Sequence, residues 1–348
     1  MEKILDKRKM LPIALVGLLV IIPSMMEFNI IFTQNKFFYL LLCLICIYTI
    51  VTSGLDLMYG YTGQISMGHA AFFAIGGYTT VLLSHNNYGI GGAFGVSIPP
   101  IFSIFIAAAV TALAGILLSI PASKLVFHFL SLLTIAFDYA IYLAAISFSD
   151  VTNGVLGITR VPAVEIFGFS FTTVLNKYRY LMLTIFFMVC FLIIKSRIID
   201  SRFGRSMIAI RENALAANGC GIDVAKTKTI VFGISAFYAG FAGALYAHCI
   251  SFVSPDIFTH DTSIIMFTML LFGGSGSLYG PILGAAVITL IQEGLQGLDD
   301  YRMLIYGVVL LVVVLLQPRG INGIFEDISH KLRKVASANK KVNTNAEN

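Results

Sequence analysis

Ionisable side chains are sparse in this 348-residue sequence, so each one inside an apolar run needs a chemical reason. Asp138 stands near the middle of the run 125–148. At the centre of a membrane helix an ionised carboxylate costs about 2.5–3.5 kcal/mol, so it must face a cavity, meet a donor or stay protonated. Tyr139, Tyr142 and His128 are the polar company nearest in sequence. Asp56 and Glu293 lie closer to the ends of their runs and are more easily solvated. No nucleophile, base and orienting group recur at the spacing of a catalytic constellation, so an enzyme is not expected. The glycine-rich stretch Gly273-Gly274-Ser275-Gly276-Ser277-Leu278-Tyr279-Gly280-Pro281 lacks the lysine that a phosphate-cradling P-loop requires. ATP binding by that device is therefore not expected of this chain. Cys43 and Cys46 have half the spacing of a zinc site with no second pair to complete it. The five cysteines read as small packing residues, and neither metal nor cofactor is implied.

Two glycine-rich breaks interrupt the apolar pattern, Gly60–Ala70 and Gly273–Pro281. Such breaks free backbone groups at membrane depth and in transporters often flank the solute path. Gly63, Gln64, Ser66, Gly68 and His69, with Asp138, are the candidates for lining it. A tight turn between helices accounts for each break almost as well. Ala236, Ala239, Gly240, Gly243 and Ala247 form a small-residue surface suited to close helix packing.

The long polar insertion Asp200–Val224 has a different character. Phe203, Met207, Ile210, Ala214 and Ala217 recur at helical spacing and make one narrow stripe. Arg205 and Glu212 fall opposite, while Ile208 and Leu215 spoil a clean two-faced pattern. Asp200 or Ser201 is placed to cap the start, and Gly219 to take a left-handed turn at the end. A helix docking on a partner and one lying on lipid headgroups fit this pattern equally well.

These elements sit in a chain that is 57% hydrophobic and 12% charged, with a mean hydropathy of +0.88. Soluble domains carry about twice that share of charge. The expectation is an all-α integral membrane protein, a polytopic bundle of about ten helices each near the ~20 residues a span needs. The spans read as 11–32, 37–58, 66–84, 96–118, 125–148, 178–198, 224–248, 262–280, 281–297 and 301–317. Placing both termini in the cytoplasm leaves only Lys36, Arg160, Lys177, Arg179 and Arg302, of 23 Lys and Arg, on the outer side. Residues 1–328 are then one membrane domain, with the 200–223 insertion inside, and 329–348 a disordered cytoplasmic tail. The longest outer loop, Ser149–Lys177, either faces an extracytoplasmic partner or merely connects. The net charge of +5 belongs to orienting loops and implies no nucleic acid.

The residues of both breaks and of the insertion resemble the permease subunits of ATP-binding-cassette importers for branched-chain amino acids, the LivM-type family. The likeness lies in Gly54–Leu83, in Asp200–Pro281 and in the Pro318-Arg319-Gly320 exit. It includes Ala-Ile-Arg-Glu-Asn, Ala-Gly-Phe-Ala-Gly-Ala-Leu-Tyr-Ala and Gly-Gly-Ser-Gly-Ser-Leu-Tyr-Gly-Pro. The resemblance implies that the 200–223 insertion is a coupling helix. Arg205, Arg211, Glu212 and Asn213 would lie at an ATPase contact, with Gly219 and Gly221 closing the segment. It further implies two ATPase subunits, a second homologous permease and an extracytoplasmic solute-binding protein, all at a bacterial cytoplasmic membrane. Inward movement of branched-chain or related amino acids by alternating access is the implied activity. The sequence departs from the family at Lys124–Phe129, at Phe137-Asp138-Tyr139 and in the outer loop at Val151–Gly157. Another small polar solute, such as urea or an amide, and an ion-coupled secondary transporter are the alternatives.

Overall fold

The computed structural model describes residues 36–85, 98–122, 127–166, 169–171, 177–295 and parts of 304–311. Its helices are α1 (Lys36–Thr62), α2 (His69–Ser84), α3 (Pro100–Ala122), α4 (Phe127–Ser147) and α5 (Lys177–Asp200). They continue with α6 (Arg202–Glu212), α7 (Ala214–Gly219), α8 (Val224–Ile250), α9 (His260–Gly273) and α10 (Gly280–Gly294). Among the described residues five helices, α1, α3, α4, α5 and α8, are long and apolar enough to cross a membrane. The chain is a mostly helical, multi-pass membrane protein. The span expected at 11–32, the 329–348 tail and most of 301–317 lie outside the described residues.

Helix α8 is the axis of the packing, and its sequence explains why. Ala236, Ala239, Gly240, Gly243 and Ala247 are all buried, so neighbouring backbones come close without side chains between them. A Cβ added at Gly243 would strike the Phe73 carbonyl of α2, and one at Gly240 the Thr111 side chain of α3. On α1, a Cβ at Gly54 would meet Tyr238. Larger side chains fill the space beside this seam, with Phe72, Phe73, Phe232 and Phe241 fully buried.

Three helices are shorter than a full crossing. At 1.5 Å per residue, α2 (16 residues), α9 (14) and α10 (15) reach only about 20–25 Å. The first break is narrower than the sequence suggested, because Gly60, Tyr61 and Thr62 complete the last turn of α1. The chain leaves the helix at Gly63, with φ +72°, and runs without helix or strand to Gly68. The second break lies between α9 and α10, where Gly274 (φ +101°) and Gly276 (φ +76°) adopt backbone that side-chain-bearing residues avoid.

The insertion is two helices rather than one. Asn213, at φ −158° and ψ 105°, leaves the helical region between α6 and α7. The left-handed turn that follows belongs to Gly221 (φ +83°), whereas Gly219 is the last helical residue of α7.

The connection between α4 and α5 folds back on the bundle where it is described. β1 (Ile158–Thr159) pairs antiparallel with β4 (Phe252–Val253), directly after α8, and β2 (Val164–Ile166) with β3 (Phe169–Phe171). His248 ties the loop to the core, with Nδ1 2.9 Å from the Pro162 carbonyl and Nε2 3.1 Å from Thr80 Oγ1.

Gly243→Val is expected to destabilise the protein by about 1–3 kcal/mol, because its Cβ falls on backbone that cannot yield. Gly219→Ala, where nothing lies within 4 Å, is expected to be neutral or slightly stabilising. Thermal unfolding of the purified variants in detergent checks both.

Candidate functional site

The insertion is held in place by local capping. Ser201 Oγ accepts from the Gly204 amide at 3.2 Å to start α6. Asn213 Oδ1 accepts from the Leu215 and Ala216 amides, both at 3.0 Å, to start α7. Asp223 Oδ1 does the same for α8 at 2.9 Å. Of the apolar stripe, Met207, Ile210 and Ala217 are buried and Phe203 and Ala214 half-buried. Arg205, Arg211, Glu212 and Asn213 face outward, together with Ile208 (42% exposed) and Leu215 (87%). Large apolar side chains stand free on the same face as the charges.

One outward residue also reaches inward. The Arg211 guanidinium donates to the carbonyl of Gly60, in the last turn of α1. Around that contact lies a cavity of about 440 Å³ whose lining includes Tyr59, Thr62, Gly63, Arg211, Glu212 and Lys228.

One turn deeper, α1, α5 and the α9–α10 connection meet at a buried ion pair. Lys195 Nζ lies 2.7 Å from Asp56 Oδ2, and both side chains are fully buried. Asp56 Oδ1 accepts from the Gly276 amide at 2.6 Å, and Lys195 donates to the Ser277 carbonyl at 3.0 Å. Tyr61 donates to the Gly276 carbonyl at 3.0 Å. The glycine-rich connection is thus a strap seated on the pair. Gly60 leaves room for the Asp56 carboxylate, which a Cβ there would strike. Taking two charges out of water is unfavourable unless they pair and their remaining valences are filled, and the strap amide and carbonyl fill them. Sequence reasoning counted Lys195 among the loop charges and treated Asp56 as a weak signal. The usable sign was opposite charges at similar depth in two apolar helices, five residues before the end of α5 and six before the end of α1.

The remaining candidates lie farther along the segment between α1 and α2. Ser66 Oγ is 3.1 Å from His69 Nδ1, and His69 Nε2 is 2.7 Å from Ser235 Oγ on α8. The Met67 amide donates to Thr134 Oγ1 on α4 at 3.1 Å, and Gly68 packs on the Thr134 carbonyl. Ser66, Gly68 and His69 are therefore buried and engaged with neighbouring helices, and Gln64 is buried beside them. Asp138 finds its partners across the chain rather than nearby in sequence. Its Oδ2 accepts from Ser263 at 3.1 Å and lies 3.3 Å from His260 Nδ1, both on α9. Ser263 Oγ in turn accepts from the Ala70 amide at the start of α2, at 2.8 Å. Tyr139 and Tyr142 line a cavity of about 230 Å³ with Asp138. The candidates thus do not gather in one chamber. Gly63 borders the cavity beside Arg211, and Asp138 the one beside α9.

Broken half-length helices around buried polar groups, with an outward-facing helix pair at one end, are an arrangement suited to a membrane permease. The chain matches the model of the branched-chain amino acid transport system permease component over residues 38–314, and it belongs to that family. It is similar to the high-affinity branched-chain amino acid transport system permease protein LivM of Salmonella typhimurium, at 29% identity over 79% of this chain and 67% of that one. The probable LivM of Methanocaldococcus jannaschii is 24% identical over 79% and 90%. The ribose import permease protein RbsC of Haemophilus influenzae is 30% identical over a shorter stretch, 38% of this chain and 43% of its own. No solved structure matches the chain. The protein is a non-catalytic permease subunit of an ATP-binding-cassette transport system.

Asp56→Asn is expected to cost about 3–5 kcal/mol of stability by leaving Lys195 charged, buried and unpaired. Asp56→Asn combined with Lys195→Met is expected to be less destabilised than the single change. Thermal unfolding of the two purified variants decides it, and a double variant less stable than Asp56→Asn would show that the pair is not coupled.

Proposed function

We propose that this chain is one of two permease subunits in an importer for branched-chain or related amino acids, driven by two ATPase subunits and fed by an extracytoplasmic binding protein. The end of the molecule that carries α6 and α7 faces the cytoplasm in this reading, as do both termini. The observation that carries it is the exposure of Leu215 and Ile208 among Arg205, Arg211 and Glu212. Apolar anchors ringed by charge are the make-up of a protein–protein contact.

The geometry supports a route for the work of ATP hydrolysis. Movement of α6 is passed through Arg211 to the end of α1, and through the Asp56–Lys195 pair to the strap. The strap is continuous with α9, whose first residue, His260, faces Asp138 on α4. Shifting the inner block therefore slides α9 along α4 and alters the cavity between them. Amino-acid cargo is favoured by the likeness to LivM proteins over 79% of the chain, whereas the likeness to a ribose permease covers 38% of it.

Leu215→Glu touches no packing and is expected to leave folding intact while lowering copurification of the ATPase subunits by at least about tenfold. Undiminished copurification and ATP-driven uptake in proteoliposomes would instead leave the helix pair lying on lipid headgroups.

A further inference from the structure

The cavity of about 440 Å³ beside Arg211 is walled by three elements that meet at the end of the molecule carrying α6 and α7. Tyr59 belongs to the end of α1, Ile210, Arg211, Glu212 and Ala214 to the α6–α7 joint, and Lys228 to the second turn of α8. Its volume lies within the ~300–1,000 Å³ of pockets that hold small molecules. Lys228 is the informative wall. Its side chain is half-buried, yet among the described residues it takes part in no hydrogen bond or ion pair. The bias of cations toward one membrane face accounts for a basic residue near this end, and the exposed Lys226 already meets it. That bias does not account for an ammonium drawn partly out of water with no acceptor, a cost that a bound anion removes. Arg211 adds a second cation, whose guanidinium has N–H groups to spare beyond the one given to the Gly60 carbonyl.

Glu212 brings the opposite sign to the same cavity. Among the described residues it is paired with neither Arg211 nor Lys228. Opposite charges that line one cavity without closing on each other leave room for a ligand that carries both. The rest of the wall is apolar, with Ile210 buried, Ala214 half-buried and the Tyr59 ring set edge-on to Phe267 of α9 at 5.2 Å. An inorganic anion would use the two cations and be opposed by the carboxylate, and a simple amine would do the reverse. A zwitterion with an apolar side chain uses every wall.

We propose that this cavity binds a free amino acid with an apolar side chain, its carboxylate on Lys228 and Arg211, its ammonium on Glu212 and its side chain against Tyr59 and Ile210. Identifying that amino acid with imported cargo, met on the side of delivery, rests on the proposed function; the site itself does not. An occupant bridges α1, the α6–α7 joint and α8, so it ties the insertion to the bundle.

The test is calorimetric titration of the full-length chain, purified with the subunits that accompany it but without the binding protein, in nanodiscs of uncharged lipid. The probes are L-leucine, 3-methylbutylamine, which lacks the carboxylate, and 4-methylpentanoate, which lacks the ammonium. Leucine is expected to bind at least about tenfold more tightly than either analogue. Lys228→Gln should weaken leucine by about tenfold and leave the amine unchanged, while Lys228→Arg keeps leucine binding. Glu212→Gln should weaken leucine by about fivefold and spare the acid; at an exposed position, it keeps the test decisive if Lys228→Gln does not fold. An analogue that binds as tightly as leucine, no binding of leucine, or leucine binding indifferent to these substitutions overturns the site. ATP-driven leucine uptake in proteoliposomes separates the two readings. Lys228-dependent binding without uptake upholds the site and refutes the importer, and uptake with no such binding does the opposite.

Discussion

The interaction on which the end of the molecule carrying α6 depends is the salt bridge between Asp56 and Lys195, both fully buried. Neither charge is tolerable there alone. Their mutual dependence fixes α1 against α5 at one depth. The valences left over are filled by the Gly276 amide and the Ser277 carbonyl, so a connection that would otherwise be a bare loop becomes a strap. The strap needs glycine at 274 and 276 because its backbone must turn through left-handed conformations while lying against a carboxylate. One electrostatic constraint thereby organises two helices, a turn and the entry to α10.

The second constraint is that backbone leaving a helix inside a membrane must be satisfied by protein. The segment after α1 and the start of α2 meet it with side chains from other helices: Thr134 of α4 receives the Met67 amide, and Ser263 of α9 receives that of Ala70. These bonds bring α2, α4 and α9 to one point, and Asp138 is at that point. Helix α8, with its small-residue surface, packs closely on α1, α2 and α3, and the short α9 and α10 are set against α1. A permease needs both properties, a rigid spine and short elements whose ends are held by a few directional bonds.

Much of this was legible beforehand. The stripe of Met207, Ile210 and Ala217 faces the protein as its spacing implied, and Ile208 and Leu215, which broke the pattern, are the exposed apolar residues. The small residues of α8 pack as their spacing demanded. Local ambiguity hid other features. Asn213 is compatible with a helix interior or a cap, and only the geometry of its side chain separates them. Gly219 and Gly221 were equally suited to a left-handed turn, and the helix ran one turn position further than expected. Long-range pairing was the least readable. Lys195 is 139 positions from Asp56, and His260 is 122 from Asp138, so sequence neighbours such as Tyr142 drew the attention instead.

If the pair and its strap make the end that carries α6 and α7 a single body, that body must move as one in the proposed complex with ATPase subunits. Spin labels at Arg205, on α6, and Tyr279, beside the strap, report on it through pulsed dipolar distances in the assembled complex. The Arg205–Tyr279 distance should be the same in nucleotide-free and ATP-bound states, while Arg205 to a label at exposed Leu132 on α4 should change. A nucleotide-dependent Arg205–Tyr279 distance, with Arg205–Leu132 constant, would contradict the linkage from α6 through the buried pair to α9.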